Sequence, residues 1–245
     1  MTDIEVFWQP GWTSCLGLKE FLSAREVDYI SRDIANDPKA ASRFTEIDGV
    51  RVPAVAKAGS WIPGADLGRV ADFLGIAVEH RPALPVGVLV DRLCRVLATA
   101  SRLTRQFPAQ HLPCKLPNRD RSVLALANHI VEIAAGYLLV EAGSAFDAVV
   151  AGALPVRVLD REALDARFRA VVADLRQARP DAQREVGTFY GATSLHRVLE
   201  RCTWHAAQHT RQLAFMLRRL GIEPERPLTA MDLDGLPVPQ AVWDA

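Results

Sequence analysis

Four long stretches of helical periodicity fill most of the chain after residue 88, and they constrain its fold more than any other feature. In each, apolar residues recur three and four positions apart, which is the spacing of one face of an α-helix. The stretches are residues 89–107, 121–140, 160–178 and 194–220. Gly221 and Pro224 end the last of them. Four helices of comparable length predict an all-α domain with an antiparallel four-helix bundle.

The first 76 residues have a different pattern, in which strand-like runs alternate with helical ones. β-type runs such as IEVFW precede helical stretches, and short strand-like pieces surround Pro53 and Trp61. This alternation predicts a small α/β domain. The segment EHRPALPVG, with two prolines and a glycine, cannot continue a helix and is typical of a linker. We therefore expect an α/β domain at 1–76, a linker at 77–87, and a helical domain with a C-terminal extension at 88–245.

The charge balance argues against two classes of partner. Lys plus Arg and Asp plus Glu each total 29, so there is no general electrostatic attraction to nucleic acid or to an anionic membrane. The sequence lacks a signal-like start, and we expect no stretch approaching the roughly 18 apolar residues of a spanning helix. A cytoplasmic location with four reduced cysteines is the prediction. The remaining partners are small molecules, and a homodimer is left open.

Three histidines stand out within the helical stretches. His205 and His209 are four residues apart, so their imidazoles share one helix face and can reach the same ion. His129 lies in the otherwise apolar run VLALANHIVEIAAGYL, where a buried imidazole needs a specific partner. A shared metal ion would supply that partner. The alternative is that each histidine is an ordinary hydrogen-bonded core or surface residue.

The residues around these histidines resemble a known family. The run Asn-His-Ile at 128–130 combined with HAAQHTRQL at 205–213 is similar to the DinB-like metalloprotein superfamily, over residues 88–220. The resemblance implies a four-helix bundle in which His129, His205 and His209 bind one metal ion and leave positions open for water or substrate. Zinc is the default ion, and nickel or iron is also compatible with neutral imidazoles. Members of the superfamily include enzymes that depend on a low-molecular-weight thiol.

Other side chains near the histidines offer weaker candidates. Glu132, three residues after His129, is a candidate for orienting that ligand or for general-base catalysis. Cys202 precedes His205 by three residues and can approach the ion, although core packing is the commoner role. His111 and Cys114 share a proline-bracketed loop, where His111 is a candidate fourth ligand or acid–base group.

The first domain resembles the glutaredoxin branch of the thioredoxin fold, over about residues 3–75. The resemblance rests on IEVFWQPGWTSCLGLKEFL followed by RVPAVAKAGSWIPGADL, and it implies a cis peptide bond before Pro53. Trp12 stands where the family has its attacking cysteine, and Cys15 matches the resolving one. Ordinary dithiol chemistry is therefore not expected. Cys15 is either a lone reactive thiol at a helix start or, more commonly for such a position, a buried inert residue.

The same resemblance implies a cradle for glutathione or a related thiol. Trp12 and Cys15 would flank it, and Val52 with Pro53 would pair with the thiol's peptide backbone. The turn at Gly64 and Asp66 would hold its γ-glutamyl carboxylate, since the free N–H groups of a helix start attract anions. A simple turn with an Asp N-cap explains Asp66 equally well.

These features leave three functions open. The first is a metal-dependent transferase, lyase or isomerase that uses a low-molecular-weight thiol, because three neutral ligands with vacant positions suit catalysis. The second is a thiol–disulfide redox protein that uses Cys15, against which the replacement of the attacking cysteine counts. The third is a non-catalytic sensor of metal or thiol.

Overall fold

A computed structural model of the chain describes residues 3–77, 83–117, 119–150 and 158–243. Contacts divide the chain into two compact units, one formed by Met1–Pro82 with Pro239–Ala245 and the other by Ala83–Val238. Residues 78–82 of the predicted linker lie outside the described residues. The sequence-based scheme kept the C-terminal extension with the second domain, whereas this division groups its last residues with the first unit. There, the backbone N–H groups of Gln240 and Ala241 donate to the Glu20 carboxylate at 2.7 and 2.8 Å.

The first unit is a mixed α/β structure, as predicted. Its elements are β1 (Ile4–Trp8), α1 (Thr13–Ser23), β2 (Ile30–Asp33), α2 (Pro38–Glu46), β3 (Ala54–Lys57), β4 (Ser60–Pro63) and α3 (Leu67–Leu74). The four strands form one sheet in the order β2-β1-β3-β4. β1 runs parallel to β2 and antiparallel to β3, and β4 pairs antiparallel with β3. The peptide bond between Val52 and Pro53 is cis, which confirms that expectation.

The central strand β1 carries core residues on both faces of the sheet. Successive side chains of a strand point to opposite faces, and the two neighbours Val6 and Phe7 are both fully buried. Val6 packs in a cluster with residues of α1, β3 and α3, whereas Phe7 packs in a second cluster that contains Cys15 and Phe44. The near-continuous apolar run of β1 is therefore explained by burial on both faces.

A buried carboxylate ties α2 and β2 to β1. Glu5 is 8% exposed, and its two oxygens accept hydrogen bonds from Arg32 at 2.8 Å and from Arg43 at 2.9 Å. Burial by itself raises the pKa of Glu5, but the hydrogen bonds and charges of Arg43 and Arg32 outweigh it, so the pKa is lowered from 4.5. The folded state therefore holds the charged form of Glu5 more tightly than the unfolded chain does.

The second unit is built on long helices. Its elements are α4 (Val86–Gln106), a 3-10 turn (Ala109–His111), β5 (Lys115–Leu116), β6 (Arg119–Ser122), α5 (Val123–Glu141), α6 (Phe146–Val150), α7 (Arg161–Gln177), β7 (Glu185–Thr188), β8 (Gly191–Ser194), α8 (Leu195–Arg219) and α9 (Ala230–Leu233). All four predicted long helices are present, with ends within three residues of those expected. α8 packs against α4 and α5, and α7 packs against the same two helices.

Two short hairpins were not predicted from the sequence. β5 pairs with β6 just before α5, and β7 pairs with β8 just before α8. Their strands are two to four residues long, and segments such as RDRS are polar throughout. Such runs lack the apolar alternation by which a strand is recognised in sequence.

The helix α5 corrects one expectation. It is 19 residues long with a mean hydropathy of 1.8, so by length and composition it is apolar enough to cross a membrane, contrary to the expectation of no such stretch. However, 61% of the 18-residue segment of α5 that has this hydropathy is buried inside the protein. There α5 packs against α8 and α7. A core helix meets the same criterion, so the hydropathy of α5 is weak support for a membrane span.

Candidate metal centre

Serine caps fix where the two histidine-bearing helices begin. Ser122 Oγ accepts a hydrogen bond from the backbone N–H of Ala125 at 3.1 Å, and Ser194 Oγ accepts one from Arg197 at 3.3 Å. Such caps satisfy amide groups that have no partner within the helix. Each cap is the last residue of a hairpin, so the hairpin and its serine together fix where α5 and α8 begin.

Asn128, the residue before His129, ties α5 to the start of α7. Its Oδ1 accepts from the backbone N–H of Leu159 at 2.8 Å, and its Nδ2 donates to the carbonyl oxygens of Leu124 and Leu159 at 3.0 and 3.1 Å. Asn128 is 2% exposed, so these bonds satisfy an otherwise costly buried amide. The arrangement anchors α5 to Leu159 at the position next to its histidine.

The structure brings His129, His205 and His209 together. Their ligand-type nitrogens all lie within 4.8 Å of one another. Ring centroids are 4.8 Å apart for the pair on α8, and 5.0 and 5.4 Å from His129 to His209 and His205. His209 is buried, and the other two are half-buried. In the described parts of the chain, no other histidine, cysteine or carboxylate belongs to this group.

The separation of the two imidazole nitrogens on α8 fits a shared metal ion. Zinc binds imidazole nitrogen at about 2.0–2.1 Å, so two nitrogens at corners of one tetrahedron are about 3.3 Å apart. Nε2 of His205 and Nε2 of His209 are 3.1 Å apart, close to that value. The same distance also suits a direct hydrogen bond between the two imidazoles. A metal site also requires a third ligand, and a nitrogen of His129 lies within 4.8 Å of the other two. A simple hydrogen-bonded histidine pair does not require this third imidazole.

Gln212, which sequence reasoning missed, orients His209. Its Oε1 lies 2.7 Å from Nδ1 of His209, so Nδ1 carries the proton and donates to the amide oxygen. This tautomer leaves a lone pair on Nε2, the nitrogen that faces His205. Metal-ligating histidines are commonly held by such an acceptor on the other ring nitrogen. Gln212 is 3% exposed, and its place three residues after His209 is the signal that could have identified it.

The electrostatic surroundings keep His205 neutral. Burial is the largest of the causes that hold the pKa of His205 well below 6.5. The charges of His209 and His129 lower it further, and those of Arg201 and Arg121 contribute in the same direction. A neutral imidazole is the form that binds a metal ion. Neither arginine was identified from the sequence. Arg201 could have been found from its four-residue spacing to His205, whereas no spacing rule relates Arg121 to α8.

Glu132 is not part of the histidine cluster. Its Oε1 accepts from Nε of Arg167 on α7 at 3.3 Å, and both side chains are partly exposed. This ion pair links α5 and α7. The predicted roles of Glu132 as an orienting residue or general base remain predictions.

The neighbouring cysteines and His111 also lie outside the cluster. Cys202 is 9% exposed, and burial, opposed by the charge of Arg201, raises its pKa to about 12. A buried thiol with a raised pKa is unreactive, which favours the core-packing role of Cys202 over metal binding. In the loop before β5, Sγ of Cys114 lies 3.7 Å from Nδ1 of His111.

In the first unit, the residues of the predicted thiol cradle have clear structural roles. Trp12 is the N-cap of α1 and is 41% exposed, without a capping side-chain hydrogen bond. Cys15 is fully buried and packs with Phe7 and Phe44. Its burial favours the unreactive alternative, because nucleophilic cysteines are partly exposed.

The turn before α3 is tightly packed against the cis-proline. The backbone N–H of Gly64 donates to the carbonyl oxygen of Pro53 at 2.7 Å. A Cβ at position 64 would lie 2.8 Å from a methyl group of Leu18 and 3.2 Å from Cβ of Pro53, so any larger residue would force these neighbours to shift. Val52 is buried beside it. Asp66 caps α3 by accepting from the N–H groups of Gly68 and Arg69 at 3.0 and 3.2 Å, so its N-cap role is real, and ligand binding there stays a prediction.

No family model matches the chain, and no curated protein matches it. Among solved structures, the chain is similar to the crystal structure of a mutant of the thioredoxin-like protein BC3987. The identity is 31%, the match covers 31% of this chain and 100% of that one, and the TM-score is 0.30.

Proposed function

We propose that the chain is a metalloenzyme that uses a low-molecular-weight thiol in a transferase, lyase or isomerase reaction. The observation that carries the proposal is the convergence of His129 from α5 with His205 and His209 from α8, with Gln212 holding one ring. The arrangement matches the ligand set implied by the DinB-like resemblance. On this proposal the four long helices form the antiparallel bundle of that superfamily.

Zinc is the proposed ion, with nickel or iron as alternatives that bind the same nitrogen donors. A divalent ion at this site would act as a Lewis acid and would lower the pKa of a thiol or water bound to it. Because the described residues offer three ligands, positions remain for reactants, as in catalytic rather than structural zinc sites. The chain's own contribution is to hold three neutral imidazoles at fixed separations.

The proposed thiol is glutathione or a related molecule, bound by the first domain at Trp12, Val52, Pro53, Gly64 and Asp66. Cys15 is not the proposed nucleophile, because it is fully buried among apolar side chains. This burial also disfavours the redox alternative, in which Cys15 would form a mixed disulfide. Glu132 is retained as a candidate general base.

Metal analysis of purified protein tests the site. We expect close to one divalent ion per chain and a loss of most of it in His205→Ala. His111→Ala serves as the matched control, because that imidazole lies outside the cluster and should leave the metal content unchanged. A full metal complement in His205→Ala would refute the ligand assignment.

A second experiment separates the enzyme from its alternatives. Electrophiles are screened with and without glutathione, using the native protein, His205→Ala and Cys15→Ser. Turnover that needs His205 but not Cys15 supports metal-centred chemistry. Disulfide reduction that disappears in Cys15→Ser would establish the redox alternative instead. We expect the native protein to reduce mixed disulfides weakly, and Trp12→Cys, which restores the family pattern, to create that activity.

A further inference from the structure

Cys114 is the cysteine that the fold leaves accessible. It is exposed, whereas Cys15, Cys94 and Cys202 are buried. Burial raises the pKa of the Cys94 thiol, and it raises the pKa of Cys202 to about 12. Reactive thiols are partly exposed and have a neighbouring group that favours loss of the proton. The accessible thiol chemistry of the chain therefore belongs to Cys114.

An imidazole lies beside this accessible thiol. Sγ of Cys114 is 3.7 Å from Nδ1 of His111, close enough for a hydrogen bond that involves sulfur. The carbonyl oxygen of Gln110 lies 3.9 Å from the same sulfur. A thiol with a base within hydrogen-bond reach is the arrangement that activates cysteine as a nucleophile.

Backbone hydrogen bonds hold the two residues in this arrangement. The N–H of Cys114 donates to the carbonyl oxygen of His111 at 3.1 Å, which closes a turn that contains Pro113. The N–H of His111 donates in turn to the carbonyl oxygen of Pro108 at 2.9 Å. The carbonyl oxygen of Cys114 accepts from the N–H of Val123, the first residue of α5, at 3.0 Å. The thiol and the imidazole are therefore anchored to a long helix.

We propose that Cys114 is a nucleophilic thiol assisted by His111, and that it takes up a thiol group from a low-molecular-weight disulfide such as glutathione disulfide. The sulfur of Cys114 attacks one sulfur of the disulfide, and the thiol proton passes to Nδ1 of His111. A new S–S bond joins Cys114 to one half of the disulfide as the original S–S bond breaks. The other half leaves as a thiolate and takes the proton, so the exchange consumes no further oxidant or reductant.

This proposal goes beyond the metal centre and does not depend on it. It also differs from the redox alternative considered above, which assigned the mixed disulfide to the buried Cys15. The nucleophile here is the thiol that is both exposed and paired with an imidazole.

The test follows the reaction of full-length protein with glutathione disulfide at neutral pH by intact-protein mass spectrometry. The native chain should gain one glutathionyl group, which a reducing agent should remove, and Cys114→Ser should gain none. Peptide mapping of the modified native protein locates the group without relying on a variant. A native chain that stays unmodified, or that carries the group on another cysteine, would overturn the proposal.

His111→Ala should slow the modification. We expect a loss of about 10-fold, because a free thiol is ionised to only a few per cent at neutral pH, which limits the gain from a base to about 30-fold. Gln110→Ala is the matched control, since Gln110 is an exposed residue of the same 3-10 turn and should leave the rate unchanged.

Added imidazole distinguishes a proton acceptor from a residue that only shapes the loop. Imidazole should restore the rate of His111→Ala, whereas pyrazole, which has a similar shape but is far less basic, should not. Equal rates for the native chain and His111→Ala would overturn the proposal, and so would a slow rate that imidazole leaves unchanged. Neither result would affect the proposed metal centre, which metal analysis tests separately.

Discussion

Replacing Gln212 by leucine tests whether the histidine cluster is built to bind metal. Gln212 Oε1 accepts the proton of His209 Nδ1 at 2.7 Å, and both side chains are almost fully buried. Leucine has a similar volume but no acceptor. The substitution therefore keeps the three imidazoles and removes the acceptor that orients one of them.

The expected loss can be worked out from this one bond. Removing such an outer partner lowers metal affinity about 10- to 100-fold, which corresponds to about 1.4–2.7 kcal/mol of binding free energy. In the metal-free protein the buried Nδ1 donor also loses its acceptor, at a cost of about 1–3 kcal/mol in unfolding free energy. Gln212→Glu keeps an acceptor and adds negative charge, so it should bind metal at least as tightly as the native chain.

Competition against a chromophoric chelator at neutral pH measures the metal affinity, and chemical denaturation of the metal-free protein measures stability. Gln208→Leu is the matched control. Gln208 is equally buried on α8, but its Oε1 accepts from Arg211 at 2.6 Å. Equal metal affinities for Gln212→Leu, Gln208→Leu and native protein would refute the reasoning, because the bond to His209 would then have no effect on the site.

Three further predictions concern other parts of the chain. Glu5→Gln should lower the unfolding free energy by about 1–3 kcal/mol at neutral pH. Because the folded pKa of Glu5 is lowered from 4.5, the difference between the denaturation curves of the two proteins should fade as the pH falls through that folded pKa. A difference that stays constant with pH would contradict the ion-pair account. Gly64→Ala should destabilise the protein by about 1–3 kcal/mol through its clash with Leu18, as measured by thermal melting. Gly87→Ala, the control, has open space around the new methyl group and should be neutral or stabilising in the same measurement. Cys114 is the exposed cysteine, so a thiol reagent should label one site of the native protein rapidly. Cys114→Ser should abolish this fast phase of labelling. Rapid labelling that persists in the variant would show that a buried thiol is reactive.

The sequence alone predicted the four long helices and the histidine donors. The helical periodicity of α4, α7 and α8 follows from the packing of one apolar face of each helix, and the spacing of the apolar residues records that face. α5 is apolar on most sides, so its length and composition predicted a buried helix. The pair His205 and His209 was evident for the same reason, since a four-residue spacing places two side chains on one face. The apolar setting of His129 showed that it needed a partner.

Only the tertiary structure decided what surrounds those donors. Whether His129 meets the pair on α8 depends on how α5 packs, and no local pattern encodes that packing. Gln212 was accessible in principle from its spacing to His209, but many polar residues share such a spacing without a role. Arg121, whose charge contributes to lowering the pKa of His205, lies in a polar hairpin that has no sequence signature. The burial of Cys15 likewise depends on packing around β1. Helix faces follow from short-range spacing, whereas the orientation, charge and accessibility of a site depend on contacts between residues far apart in the chain.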